Sequence, residues 1–388
     1  MANAFHLPTI KDKAAVVGIG HTAFSRRSDR SELAMAAEAS MAAITDAGLT
    51  PEDIDGIVHL NMDTVNEVAL QNALGIPNLR YFPVFAWANL CGAVANAAMA
   101  VATGMAANVL LFRSMNGRSQ RRLGVARQVE LSGGDDAFSF PFGLLTPALC
   151  DAIIARRHMH LYGTTSRQLG AVAVACRKHA NMNPRAIMHG RPMTIEDHQA
   201  SRTIADPLRL LDCCLESDGA GAIVITSAER AAGLPQPPAY VMAAAAGTGP
   251  RQGVHKPYAS AAMAEFPETT FVAKQVFGQA GVTPGEIDVA QIYEHFTIAV
   301  IIALEDLGFC SKGEGGPFVQ GGRIEIGGSL PVNTSGGNLS EVYIHGITHI
   351  IEGVRQIRGT STAQVPNAEL SFVAGPNFIP TGALIFRK

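Results

Sequence analysis

The chain has 388 residues, 47% of them apolar, and a net charge of −3. That is apolar material for a large core, and the length fits two or three domains or one large α/β unit. The balanced charge supplies neither a basic tract for nucleic acid nor a solvated acidic arm, so the expected ligand is a small molecule, or a large apolar one with a small charged handle.

Residues 14–19 (AAVVGI) predict a buried strand and residues 31–47 a helix with Ser31 as N-cap. Gly48 ends that helix, and Thr50-Pro51 opens a turn before a strand at 56–60. Residues 88–102 predict a helix of small residues that stops at Gly104 and feeds a strand at 108–112. The polar, Gly-rich stretch 113–211 reads as an inserted, lid-like segment with its own helices. Within it, Arg118, Arg121 and Arg122 read as an exposed charge run that could meet phosphates. His158 and His160, beside Arg156 and Arg157, read as solvated or phosphate-facing. Asp218-Gly-Ala-Gly-Ala222 predicts a tight turn before a strand at 223–226. The second half opens near residue 239, with a helix at 269–279 and a strand at 289–293. A strand at 329–332, a Gly-Gly junction, a helix over 343–357 and a strand at 369–373 follow.

Six cysteines (Cys91, Cys150, Cys176, Cys213, Cys214, Cys310) form no CxxC pair, which indicates neither a zinc site nor a disulfide framework. The opening MANAFHLPTIKDKAAVVGIG does not read as a signal peptide, because its apolar run follows the lysines. No window reaches the ~18 apolar residues of a membrane span. A cytoplasmic location is expected.

The strongest organisational signal is a repeat. Ala47-Gly-Leu-Thr-Pro-Glu-Asp-Ile-Asp55 matches Ala280-Gly-Val-Thr-Pro-Gly-Glu-Ile-Asp288, and each follows a helix and precedes a strand. Two copies predict two related halves: residues 1–235, including the insertion at 113–211, and residues 236–388. Aligning the helices that follow places Tyr343 opposite Ala88, and aligning the strands places Tyr293 opposite Leu60. One half thus carries phenols where the other is inert, as expected of a single active site shared between halves.

Asn333-Thr-Ser-Gly-Gly-Asn-Leu-Ser-Glu-Val-Tyr343-Ile-His345-Gly346 puts two glycines, a tyrosine and a histidine at a strand-to-helix junction. Backbone can approach a ligand there, and a helix start offers N–H groups. Two such halves, an inserted segment and this junction resemble the thiolase superfamily over essentially the whole chain. Tyr293-Glu-His-Phe296, Glu305-Asp-Leu-Gly-Phe-Cys310, Lys312-Gly-Glu-Gly-Gly316 and Val332-Asn-Thr-Ser-Gly-Gly337 resemble its lipid-transfer-protein-like branch. Gly18-Ile-Gly-His-Thr-Ala-Phe-Ser25 and Met62-Asp63-Thr64 resemble the steroid side-chain-cleaving acyl-CoA aldolases within that branch.

The resemblance implies an α/β thiolase fold, with two similar strand-helix halves in a layered αβαβα arrangement and an inserted loop domain. It also implies departures from thiolase chemistry. The nucleophilic cysteine position falls at about Ala88. Cys91, one turn on among Ala, Val and Leu, reads as a packing residue. No cysteine follows Cys310 to act as acid/base, and Tyr343 and Tyr293 stand where thiolases carry their histidine and water-orienting residue. The implied reaction is retro-aldol cleavage of a β-hydroxyacyl-CoA to a ketone and a short acyl-CoA; in the steroid case these are a 17-ketosteroid and propionyl-CoA.

That chemistry needs a proton acceptor, a proton donor and donors for the thioester oxygen. Tyr293 and Tyr343 are the expected acid/base pair, in either order, with His295 and His345 tuning them toward phenolate or relaying protons. Gly336, Gly337 and Gly375 are the expected oxyanion donors. No metal and no cofactor beyond the CoA thioester substrate is expected. A degenerate thiolase using Cys91 and a non-catalytic acyl-CoA or lipid carrier are the alternatives. The resemblance further implies a homodimer that works with a small OB-fold, zinc-ribbon acyl-CoA-associated partner.

Overall fold

The computed structural model describes residues 10–85, 87–120, 122, 124–125, 137–249, 263–377 and 380–388. Nine strands form a continuous hydrogen-bonded array: β1 (Ala14–His21), β2 (Gly56–Leu60), β3 (Val84–Phe85), β4 (Asn108–Asn116), β5 (Asp218–Ser227), β6 (Ala239–Gly247), β7 (Val289–Ile292), β8 (Leu370–Ala374) and β9 (Thr381–Arg387). The spatial order is β3-β2-β4-β5-β1-β6-β9-β8-β7. Apart from the edge strand β3, this order is a mirror. Outward from the β1–β6 junction, β5, β4 and β2 on one side answer β9, β8 and β7 on the other. β1 and β6 pair through only Ala15–Tyr240 and Val16–Ala239, so two half-sheets meet at a narrow seam.

The predicted repeat is visible in its hydrogen bonds. Thr50 and Asp53 close a capping box on the 3₁₀ turn Pro51–Asp53, and Thr283 and Glu286 do the same on Pro284–Glu286. The Asp55 carboxylate then accepts from the N–H groups of Ala107 and Asn108 at the start of β4. Asp288 accepts likewise from Glu369 and Leu370 at the start of β8. Each aspartate therefore joins one strand to its neighbour.

Helices complete the layers. α1 (Glu32–Asp46), capped by Ser31 accepting from Ala34 N, covers the outer face of the first half-sheet, burying Met35, Ala36, Ala39, Ala43 and Ile44. The helix Pro267–Ala280 covers the second. Between the half-sheets run Leu90–Ala102 and Ile347–Arg358, each touching strands of both. Their sequences suit that place: small residues fill the first, and isoleucines of the second enter the same apolar cluster. This is the layered αβαβα arrangement. Between β4 and β5 lie the helices Pro147–Tyr162 and Ser166–Met182. Among the described residues no helix is long and apolar enough to cross a membrane.

Four local expectations are corrected. The helix expected over 343–357 begins at Ile347, because His345 (φ +56°) and Gly346 (φ +83°) are left-handed and interrupt it; Tyr343 stands in the preceding loop. The strand expected at 329–332 reduces to one bridge between Val332 and Ala290. Asp218–Ala222 is not a turn but the start of β5. His158 is fully buried, between Thr164 (2.8 Å) and Glu305 (3.1 Å), rather than solvated; His160 is exposed.

Candidate active site

A cavity of about 840 Å³ opens between the two halves and the inserted helices. Apolar side chains, among them Met62, Trp87, Leu144, Leu145 and Phe296, line most of it. Tyr293, Tyr343, His295 and His345 line it as one cluster, and Ala88 lines it as well. The lining residues come from before and after residue 236.

Each tyrosine is placed by backbone contacts. Tyr293 leaves the end of β7 with its N–H bonded to Ala374 O at 3.1 Å. Asn333 Oδ1 accepts from Ile292 N at 2.7 Å and its Nδ2 donates to Ile292 O at 2.8 Å, so this side chain extends the ladder one residue before Tyr293. A Cβ on Gly346 would sit 2.8 Å from the Tyr293 ring, so only glycine lets the loop pass there. Tyr343 is fixed by Ser217, whose hydroxyl accepts from Tyr343 N (2.8 Å) and donates to Tyr343 O (3.2 Å).

The two phenols meet: Tyr293 OH donates to Tyr343 OH at 2.9 Å. Both are buried, and burial pushes both above the usual phenol range. Burial by itself thus disfavours phenolate at either residue. The pair is nonetheless asymmetric. The Tyr293 hydroxyl and the Arg113 charge pull Tyr343 back down, whereas Tyr343 pushes Tyr293 further up. Of the two, Tyr343 therefore gives up its proton more readily and is the one more easily held as phenolate.

The histidines flank this pair. The His295 ring lies 5.6 Å from that of Tyr293, and its Nε2 is 3.3 Å from Asp151 Oδ1. The His345 ring lies 5.3 Å from that of Tyr343, and Arg113 Nε donates to its Nδ1 at 3.0 Å. Asp151 and Arg113 are buried and were not singled out from the sequence. They stand 144 and 232 residues from the histidines they touch, so no local spacing announces them.

The glycines expected to bind an oxyanion do not reach the cavity. Gly336 N bonds Asn333 O at 2.9 Å, Gly337 N faces Ser335 Oγ at 3.4 Å, and Gly375 N bonds Gly382 O at 2.8 Å. Their requirement is steric. A Cβ on Gly337 would fall 1.7 Å from a carboxylate oxygen of Glu294, and one on Gly336 would fall 2.6 Å from Ala180. That Glu294 carboxylate pairs with His349 at 2.6 Å beneath Tyr293.

Cys91 is buried, its Sγ directed at Val373 O at 3.9 Å, and burial pushes its thiol up to about 12. It reads as packing, as expected. Of the arginine run, Arg122 is held by Glu216, Arg121 lies outside the described residues, and Arg118 lines the cavity. Arg26 and Arg118 also line an adjoining recess with Arg27 and Arg30, giving the cavity a basic neighbour.

Residues 254–381 match the family described as thiolase C-terminal domain-like. Over 383 residues the chain is 49% identical to a 17-hydroxy-3-oxo-4-pregnene-20-carboxyl-CoA lyase of Mycobacterium tuberculosis, covering 97% of this chain and 99% of that protein. It is 47% identical to a steroid side-chain-cleaving aldolase of Thermomonospora curvata, covering 96% and 97%. The chain belongs to the thiolase superfamily. Its place is among the aldolases of that superfamily, which are carbon–carbon lyases. The solved Ltp2-ChsH2(DUF35) aldolase superposes with a TM-score of 0.93 at 46% identity, over 98% of each chain. A human mitochondrial 3-ketoacyl-CoA thiolase, at 16% identity and a TM-score of 0.69 over 99% of each chain, shares the fold. Ala88, near the position expected from the sequence for the thiolase sulfur, and the phenol pair line the same cavity.

Proposed function

We propose that the protein cleaves the Cα–Cβ bond of a β-hydroxyacyl-CoA derived from a steroid or bile-acid side chain, releasing a 17-ketosteroid and propionyl-CoA or acetyl-CoA. The observation that carries this reading is the 2.9 Å hydroxyl pair of Tyr293 and Tyr343 in the lining of a largely apolar cavity. Its volume falls within the roughly 300–1,000 Å³ of small-molecule sites, and its apolar walls suit a fused-ring body. The arginines beside it suit the phosphates of the CoA thioester.

Tyr343, as phenolate, takes the β-hydroxyl proton. The Cα–Cβ electron pair becomes the thioester enolate, and the alkoxide carbon becomes the ketone. Tyr293 delivers a proton to the enolate α-carbon. A proton then passes from Tyr343 to Tyr293 along their hydrogen bond and resets the pair, while His295, with its Nε2 3.3 Å from Asp151 Oδ1, takes the proton that Tyr343 sheds to begin as phenolate.

The matched Ltp2-ChsH2(DUF35) aldolase supports a working complex with a small OB-fold, zinc-ribbon partner, and a homodimer is the expected core. The test is incubation of the protein, alone and with such a partner, with a panel of β-hydroxyacyl-CoAs, scoring ketone and short acyl-CoA by mass. Cleavage is expected, with Tyr343→Phe losing at least about 10²-fold in turnover. Tight binding without cleavage in the presence of the partner would favour a carrier and overturn the reading.

A further inference from the structure

His345 reaches the cavity from a left-handed backbone position, φ +56°, which side-chain-bearing residues seldom adopt. Arg113 Nε meets its Nδ1 at 3.0 Å. The guanidinium has little freedom to turn away. Its NH1 nitrogen is bonded to Asp63 and, at 2.6 Å, to Ser114 O. Asp63 is itself held by Leu60 N at 2.7 Å, and both Arg113 and Asp63 are buried. Next to them His59 Nε2 meets Glu67 at 3.0 Å. The chain of contacts thus runs from the end of β2 through Arg113 on β4 to the loop that carries Tyr343.

A guanidinium only donates. An imidazole nitrogen that accepts from it carries no hydrogen, so the single ring hydrogen of His345 lies on Nε2. A second proton, on Nδ1, would face a cation at hydrogen-bond distance. His345 is therefore held as the neutral Nε2–H tautomer. In that form Nε2 can donate a hydrogen bond but cannot take up a proton. A relay needs a nitrogen that accepts, whereas stabilising negative charge on oxygen needs one that donates without giving its proton away.

We propose that His345, in the tautomer imposed by Arg113 and Asp63, donates to the thioester oxygen as it gains enolate charge, and that Arg113 is a positioning residue for it. The assignment fills the role left open once the N–H groups of Gly336, Gly337 and Gly375 are seen to be spent inside the fold. It separates the two histidines: His295, paired with Asp151, handles protons, and His345, paired with Arg113, handles charge. It rests on the aldolase reading of the cavity.

Two measurements test it on the full chain with its partner. The first is ¹⁵N NMR of histidine-labelled wild-type protein, with the His345 signals assigned by their loss in His345→Gln. Expected is a hydrogen-free Nδ1 and a hydrogen-bearing Nε2 that stay unchanged from pH 6 to 9. An imidazolium at pH 7, or the Nδ1–H tautomer, would overturn the proposal. This arm needs no substrate and no Arg113 variant, so it decides the tautomer even where Arg113→Met fails to fold. The second is kinetic. His345→Phe is expected to lower kcat about 10²–10³-fold with KM little changed. His345→Gln, which keeps an N–H donor, is expected to recover at least tenfold of that. Arg113→Met is expected to lower kcat and to regain part of it with added guanidinium ion. Wild-type protein that cleaves no β-hydroxyacyl-CoA sinks the aldolase reading while the tautomer stands measured. An active wild type with a full-rate His345→Phe sinks this proposal alone.

Discussion

Asn333 bonds both backbone groups of Ile292, 41 residues away in sequence, and thereby aims the residue that follows, Tyr293. Removing the amide leaves a buried N–H and a buried C=O without those partners. Asn333→Ala is expected to cost roughly 2–4 kcal/mol of stability, from two lost hydrogen bonds and their desolvated partners. It is also expected to lower turnover more than substrate affinity. Urea titration beside steady-state kinetics checks this; an unchanged midpoint with full activity would contradict it.

Asp151 is predicted to matter through charge. Asp151→Asn keeps the shape beside His295 but no longer stabilises an imidazolium. Turnover at pH 7 is expected to fall about 10²-fold. The deficit is expected to shrink as pH rises, because the phenol proton can then be lost to solvent instead of His295. A deficit that is constant from pH 7 to 10 would assign Asp151 a purely structural part.

Cys91 is predicted to be chemically silent. With its thiol pushed up to about 12 by burial, almost none is thiolate at pH 8. Mass mapping after brief iodoacetamide treatment of folded protein should find Cys91 unlabelled, and Cys91→Ala should keep near-normal turnover. Labelling at Cys91 that acyl-CoA prevents, with loss of activity, would restore the degenerate-thiolase alternative.

Glu341 gives a stability prediction with a definite sign. Its carboxyl is buried, with Asn183 Nδ2 donating at 2.9 Å, and burial outweighs the Arg355 charge to raise it to about 7. An unfolded glutamate titrates near ~4.3. Between these values the folded chain holds a proton that the unfolded chain has released, so this contribution is full below ~4.3 and is lost as pH rises to about 7. Its span is on the order of 3 kcal/mol. Glu341→Gln mimics the protonated form at every pH. Its stability relative to wild type should therefore climb from pH 4.5 to 7 and then level off; a pH-independent difference in denaturation midpoint would refute the assignment.

Much of this was legible in the sequence because the duplication is written in short local motifs. Asp55 and Asp288 sit at the same step of the same phrase and make the same bonds. That alignment drew Tyr343 and Tyr293 out as departures, and the folded chain brings their hydroxyls together. The Gly336–Gly337 pair was misread because a sequence shows that a side chain is missing, not what occupies its space; here it is the carboxylate of Glu294 and the helix at Ala180. The helix start was placed four residues early because His345 is left-handed, which a histidine codon does not advertise. Arg113 and Asp151 were missed because each meets its histidine across the whole fold, where spacing carries no signal.

Ala88 and Tyr343, opposite one another when the two repeats are aligned by sequence, both line a single cavity. Neither residue lies in a strand or a helix, so exchanging the group at either seat alters no strand ladder and no helix. The chemistry of the chamber is thus set by residues at the rims of a duplicated scaffold, outside the strands and helices that build it.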